Sequence, residues 1–390
     1  MNRNSRVGSI GLLLVLVVAV ALFPSCQEKS QINSRVVVTA IGIDDKEGLC
    51  GISIQAIEVL KTSGSLTEQE GNVTSVYETE GESIAGALKA FVADSGRNAY
   101  VQHNRLIALG MAQIEQNSLE TLMDYFIRNH EGRPLVNLVV CRGEAGKLLQ
   151  VPSESTAIPA EYVARLLEEG YEWGYAVQSR LLDVERAFSG MYDAAIPIVV
   201  VEGEKEEEMG IRFDGTALFR SGEFAGELDE NETRGLLYAR GDFRQGVYVL
   251  PASGRPEGEK ITLSIRDTST KVDVQPQGNT VRYRFRINCE AEILEEYMPD
   301  HLAADEIQAA GEQLAAVIRE QTERALAVSA GYGCDAAGLG RLTQKHCPEL
   351  IRGQEENWTE RLRDCVFDVE AQVRITKIGA ESGEPSQAVV

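Results

Sequence analysis

Seven cysteines, four histidines and one glycine-containing loop are the places where this sequence could hold chemistry. The loop, Cys141-Arg142-Gly143-Glu144-Ala145-Gly146-Lys147-Leu148, has the lysine of a phosphate-cradling turn. It fails as one because Cys141 replaces the opening glycine, and Leu148 stands where a Ser or Thr would hold magnesium. Gly331-Tyr332-Gly333 with Gly338 has the wrong spacing for a dinucleotide turn and follows a helical pattern rather than a strand. The histidines (His103, His130, His301, His346) are scattered, and His130-Glu131 is not continued to a zinc-binding HExxH. No GxSxG nucleophile elbow is present. Of the cysteines, Cys334 and Cys347 lie in a glycine-rich connection and are candidates for a bridge. Cys50 and Cys141 sit beside strand-like segments, where a free thiol behaves as a small buried apolar group. The expectation is therefore no catalytic set, no metal site and no cofactor.

Cys26 is different because of what precedes it. Arg3 and Arg6 lead into an apolar run from Ile10 to Phe23, which closes on Pro24-Ser25-Cys26. The run is 14 residues long, short of the roughly 20 that a membrane-spanning helix needs. A positive head, an apolar middle and a small residue at the cut make an export signal. With a cysteine after the small residue, the stretch resembles a bacterial lipoprotein signal. In such signals the thiol receives a diacylglyceryl group, carrying palmitate-type chains, before cleavage makes the cysteine the new N-terminus. Phe23 and Pro24 depart from the usual residues of such signals, leaving an uncleaved anchor or ordinary secretion as alternatives. All three export the rest of the chain, and two acyl chains hold a membrane where one binds only marginally.

The remainder must fold around ordinary cores. Hydrophobic residues make up 43% of the chain, enough to build them, and no other stretch approaches a membrane span. With 38 basic against 60 acidic residues the formal charge is −22. Such a surface repels phosphate backbones and anionic headgroups, so no nucleic-acid partner is expected, and membrane proximity must come from the lipid.

Periodicity divides the chain as follows: signal peptide 1–25, lipidated N-terminus and polar spacer 26–34, and a mixed α/β region 35–201 that is open to division into two subdomains. An acidic linker 202–210, a C-terminal α+β domain 211–380 and a flexible tail 381–390 complete it. In the first region, β-branched Val36 to Ile43 and a run with Ile52, Ile54 and Ala56 read as a hairpin. The segment between Lys61 and Asn72 is expected to be an exposed loop. Helical spacing of Ile84, Leu88, Phe91 and Val92, and of Leu119, Leu122, Met123 and Phe126, alternates with strands at 105–109 and 135–140. Two more helices are expected at 160–169 and 180–188, then a strand at 195–201. The run Glu202-Gly203-Glu204-Lys205-Glu206-Glu207-Glu208 lacks oxygen-ligand spacing, and a solvated linker explains it better than a cation site.

In the second domain, strands at 211–219 and 224–228 precede a capping-box start at Asp229 and Glu232. From Val281 to Ile287 apolar residues alternate with Arg282, Arg284 and Arg286, the wet face of a half-buried strand. A helix over 302–328, about 40 Å long, and a final strand over 367–376, expected to be antiparallel, finish an antiparallel sheet covered by one long helix. The fold class is α+β with mixed α/β, in several domains.

Four motifs carry a family resemblance. They are Val38-Thr39-Ala40-Ile41-Gly42-Ile43-Asp44, then His103-Asn104-Arg105-Leu106-Ile107-Ala108-Leu109-Gly110. The third is Gly215-Thr216-Ala217-Leu218-Phe219-Arg220 with Gly226, Leu228 and Glu232 to Leu237. The last is Asp335 with Gly338-Leu339-Gly340, followed by Trp358 and the terminal strand. Together they resemble the Ger(x)C family, the lipoprotein subunit of bacterial spore germinant receptors. Gln27 replaces the family's tryptophan after the lipidated cysteine, and the extra cysteines are unusual. The resemblance implies a non-catalytic subunit required for nutrient-triggered spore germination. It would be lipid-anchored through Cys26 on the outer face of the spore inner membrane, beside two integral membrane subunits. The competing expectation, a lipid-tethered solute-binding protein, calls for two lobes of repeated βα units and a hinge.

Overall fold

The computed structural model describes residues 35–57, 73–129, 132–152, 156–190, 192–203, 208–278, 280–297, 302–352 and 358–378. Strands β1 (Arg35–Lys46) and β2 (Leu49–Ile57) form the expected hairpin, and β3 (Thr74–Gly81) extends it antiparallel. Helix α1 (Ile84–Ser95) follows, started by Ser83, whose side chain accepts from the Gly86 amide. After β4 (Asn98–Tyr100) and β5 (Leu106–Gly110) come α2 (Met111–Gln116), α3 (Leu119–Arg128) and β6 (Asn137–Cys141). Then α4 (Ala145–Leu148), α5 (Pro159–Glu172) and α6 (Leu181–Ser189) lead to β7 (Ala194–Glu202). Strands β8 (Gly210–Arg220) and β9 (Glu223–Leu228) add to the same sheet, whose order is β3-β2-β1-β5-β6-β7-β8-β9, with β4 paired to β1.

Strands β1, β5, β6 and β7 run parallel, while the outer strands are antiparallel. Both faces of the parallel centre are buried, as parallel strands require. Ile107 and Leu109 of β5, with Leu138 and Val140 of β6, meet α1, α3 and α6. The alternate residues Leu106, Ala108, Val139 and Cys141 meet α4 and α5 on the other face. The period of two in each strand separates the two cores. Segment 202–210 joins β7 to β8 within this sheet, with Glu202 opposite Gly210.

Helix α7 (Glu230–Arg240) starts with the predicted capping box: Glu232 N donates to Asp229 Oδ1 at 2.8 Å and Asp229 N donates to Glu232 Oε2 at 2.9 Å. A second sheet follows, ordered β10 (Gly246–Pro251), β11 (Lys260–Gln277), β12 (Thr280–Tyr297) and β13 (Val366–Ile378). Its first three strands are antiparallel, and the long helix α8 (Ala304–Gly331) packs on it, its buried Leu314, Ile318, Ala325 and Leu326 sharing a core with Tyr283, Phe285 and Ile287. The last strand, β13, is parallel to β12 rather than antiparallel. The connection between them carries α8, α9 (Leu339–His346) and α10 (Trp358–Leu362), a crossover that permits parallel pairing. Alternation identified the buried face of β13 and held no information on its direction. The same core takes in Ala195, Leu218 and Leu228 of the first sheet, so the sheets are joined by shared apolar packing.

Among the described residues no helix is long and apolar enough to cross a membrane.

Candidate functional site

In α/β sheets ligands favour the carboxyl ends of the parallel strands. Here that position at β1 holds Asp44, which is 5% exposed. Its Oδ1 accepts from Ala145 N at 2.7 Å and its Oδ2 from Gly146 N at 3.0 Å, the opening amides of α4. Helix amides left without an intrahelical partner attract anions. The glycine-containing loop therefore presents its amides to the protein's own carboxylate, the position an outside phosphate would need. Burial pushes the Asp44 carboxyl up, and the two amides oppose that shift. At the end of β5, a side chain on Gly110 would collide with Asp44 Oδ1, so only glycine fits beside this lock.

Gln55, fully buried on β2, ties the same region together. Its Oε1 accepts from Thr39 Oγ1 at 2.9 Å and Ala160 N at 3.0 Å, and its Nε2 donates to Leu149 O at 2.6 Å. Asn104 Oδ1 accepts from Leu106 N at 3.3 Å, shaping the entry to β5. The first two sequence motifs thus contribute bonds within the fold. Sequence patterns did not single out Gln55, although a lone amide in a β-branched run is its signal.

A second knot joins the two sheets. Asp335, 1% exposed in the turn between α8 and α9, accepts at Oδ1 from Leu339 N at 2.7 Å. Its Oδ2 accepts from Gly340 N at 2.6 Å and Trp358 Nε1 at 3.0 Å. Its own amide donates to Asp193 Oδ2 at 2.7 Å, and Asp193 N returns a bond to Asp335 O at 3.1 Å. Asp193 Oδ1 also accepts from Ser221 N at 3.0 Å, so one carboxylate holds the start of β7, the β8–β9 turn and the α8–α9 turn. Burial raises Asp335 to about 6 in spite of its three N–H donors, and burial raises Asp193 too. Arg240 Nε donates to Ala336 O at 2.8 Å beside them.

The third motif packs α7 between sheet and helix. Thr216 and Thr233, both fully buried, bond through their hydroxyls at 2.8 Å. Glu232 accepts from Arg324 Nε of α8 at 2.7 Å. A side chain on Gly235 would collide with the Gln321 carbonyl, which sets the close approach of α7 and α8.

The other candidates stay apart. Cys26, His130 and His301 lie outside the described residues, and His103 and His346 are exposed on separate elements. Cys334 and Cys347 are both free, not bridged; Cys334 Sγ contacts Phe219 O at 3.7 Å. Burial pushes the Cys50 thiol up to about 11 and Cys141 to about 12, far from a nucleophilic thiolate. Among the described residues no group of His, Cys, Asp or Glu has the arrangement of a metal site. Arg282 and Arg286 project from the outer face of β12 and pair across strands with Asp368, at 2.8 Å, and Asp273.

Fold and knots together define a two-sheet α+β protein whose buried polar motif residues brace its own architecture. Comparison with known proteins makes the class specific. Residues 28–201 match the family described as "Spore germination protein N-terminal domain", and residues 214–379 match "Spore germination B3/ GerAC like, C-terminal". Spore germination protein KC of Bacillus subtilis (strain 168) is 21% identical over 94% of this chain and 95% of its own length. Spore germination protein YndF of the same organism is 19% identical over 94% and 96%. The crystal structure of the GerBC protein superposes with a TM-score of 0.58 at 17% identity, covering 86% of this chain and 97% of that one. The chain belongs to the Ger(x)C family of spore germination proteins.

Proposed function

We propose that this chain is the lipid-anchored, non-catalytic subunit of a spore nutrient germinant receptor. A diacylated Cys26 holds it on the outer face of the spore inner membrane, and two integral membrane subunits are its partners. The observation that carries the reading is the use of the motif residues. Asp44, Thr216, Glu232 and Asp335 direct their side chains at backbone amides or neighbouring side chains of the same chain. A sequence whose distinctive polar groups are occupied in bracing two sheets suits a docking scaffold better than an enzyme. Near full-length similarity to spore germination protein KC supports the biological setting. We place the boundary between the two homologous regions at 202–210, because the family matches end at 201 and resume at 214, although the first sheet continues across it. The tethered solute-binding alternative calls for two βα lobes, whereas the second sheet is largely antiparallel.

Deleting the gene from a spore former without redundant receptors tests this reading. The response to one class of nutrient should disappear, while germination by exogenous calcium dipicolinate persists. Normal germination with every nutrient would overturn it.

A further inference from the structure

The first sheet has ends of opposite charge. At the amino ends of its parallel strands, Arg105 N donates to Thr39 O at 2.8 Å and Asn137 N donates to Arg105 O at 3.1 Å, so the starts of β1, β5 and β6 lie side by side. Leu182 N donates to Pro134 O at 2.9 Å, and Asn137 forms a bridge with Arg180. These bonds bring Arg133-Pro134-Leu135 and the start of α6 to the same place. Arg105 and Arg133 are exposed, and Arg180 is half-buried. None of the three makes an ion pair among the described residues, in a chain where 60 acidic residues face 38 basic ones. Asp94 at the end of α1 and Glu185 of α6 stand against them, while Asp183 is matched by Arg186 at 3.8 Å. Leu135, beside the arginines, is 60% exposed. At the carboxyl ends the balance reverses. Asp45, Glu47, Glu80 and Glu82 outnumber Lys46 and Lys147 there, and Lys46 is matched by Glu144 at 3.2 Å.

The chain enters this sheet at its basic end, because β1 starts at Arg35. Cys26 lies 35 − 26 = 9 residues earlier, and nine residues span at most about 30 Å. A lipid on Cys26 thus keeps the start of β1 close to the bilayer. Screening limits charge interactions between exposed groups to about 8 Å at physiological salt. A headgroup layer therefore responds to the residues nearest to it, and a chain of net charge −22 can still present a basic end. Anionic lipids attract basic residues held next to the membrane, and an exposed apolar side chain among them fits the interface.

We propose that the amino end of the first sheet faces the bilayer and contacts anionic phospholipid headgroups through Arg105, Arg133 and Arg180, with Leu135 at the interface. The acyl chains retain the protein, since net charge gives no help with retention, and the patch sets which way the tethered fold faces. The acidic end, with the β1–β2 turn, points away. This inference rests on the lipid tether of the proposed function.

The mature lipidated chain, reconstituted in vesicles of phosphatidylcholine and phosphatidylglycerol that carry a nitroxide-headgroup lipid, tests it. Leu135→Trp places a reporter in the patch, and Leu49→Trp, at a 38% exposed position beside the β1–β2 turn, places one at the opposite end. The parent, with Trp173 and Trp358, supplies the background. Quenching of the added tryptophan should be at least about twofold stronger at position 135 than at position 49. Vesicles of phosphatidylcholine alone, salt at about 1 M, or Arg105→Gln combined with Arg133→Gln should each bring that ratio towards equality. Flotation with the vesicles should persist throughout, because two acyl chains supply it. Chains that fail to float would overturn the lipid tether and the orientation with it. Floating chains quenched equally at both positions, or a ratio that persists in phosphatidylcholine or in the double Arg variant, would overturn the orientation alone.

Discussion

The indole Nε1 of Trp358 donates to Asp335 Oδ2 at 3.0 Å although the two residues are 23 apart in sequence. That bond closes α10 onto the α8–α9 turn, and the turn is held to the first sheet through Asp193. Trp358 is 3% exposed, so a phenylalanine in its place fills most of the space and removes the donor. The carboxylate keeps two backbone donors. Trp358→Phe should therefore cost about 2 kcal/mol, the scale of one lost bond to a buried charged group plus some volume. Urea unfolding measures it, and a loss under about 0.5 kcal/mol would show that the knot does not couple the halves.

Asp335 also predicts a pH dependence with a definite sign. Its carboxyl is raised from 3.8 to about 6 by burial, so the folded state binds its proton more tightly than the unfolded chain does. The corresponding stability is present below about pH 4 and lost as pH rises through about 6. Between pH 7.5 and pH 5 the wild type should gain about 1 kcal/mol relative to Asp335→Asn, at 1.36 kcal/mol per unit. Denaturation curves of both proteins at the two pH values give the difference. A gap of opposite sign would mean that the three N–H donors outweigh burial.

Gly235→Ala sets two effects against each other. Alanine in a helix interior is favoured over glycine by up to about 1 kcal/mol. The new methyl group, however, meets the backbone carbonyl of Gln321, which cannot turn aside as a side chain could. Overpacking of this kind costs about 1–3 kcal/mol, so net destabilisation of at least about 1 kcal/mol is expected by thermal or urea unfolding. A stabilised variant would show that α7 and α8 separate freely.

The outer face of β12 should be tolerant. Arg282 and Arg286 make cross-strand pairs with Asp368 and Asp273, and all four side chains are partly exposed. Exposed pairs contribute about 0–1 kcal/mol. Replacing Arg282, Arg284 and Arg286 together by Gln should cost no more than about 1 kcal/mol, and less at high salt. A loss of several kcal/mol would mean that the stripe is paired far more tightly than exposed charges allow.

Local order was legible in the amino-acid sequence, and long-range pairing was not. Periodicity placed α1, α3, α8 and β12, because one buried face leaves a period in the chain. It also found the Asp229–Glu232 box, which is local. The direction of β13 and the extension of the first sheet through β8 and β9 depend on pairings that leave no period. Strands β3, β10 and β11 are additional to the elements expected from the sequence, although β-branched alternation in Lys260–Gln277 is a usable signal. The Asp44 lock and the Asp193–Asp335 knot were invisible for the same reason: their partners lie more than 100 residues apart. The motif resemblance picked out Asp44 and Asp335 as recurrent positions, and geometry then supplied their roles.

Attachment through Cys26 is the prediction nearest to function. The apolar run from Ile10 to Phe23 is short of a membrane span, so under the proposed lipoprotein reading membrane retention is expected to come from acyl chains on the thiol. The charge of −22 gives no electrostatic help at an anionic surface. Cys26→Ala removes the acyl acceptor, and a signal that is cut only after acylation then stays uncut. The variant should accumulate as the full-length precursor, fail to incorporate radiolabelled palmitate and lose nutrient germination, with the fold from Val36 onward unaffected. Gel mobility, palmitate labelling and spore fractionation read these outcomes separately. A Cys26→Ala chain that is processed and membrane-bound like the parent would assign the tether to another part of the molecule.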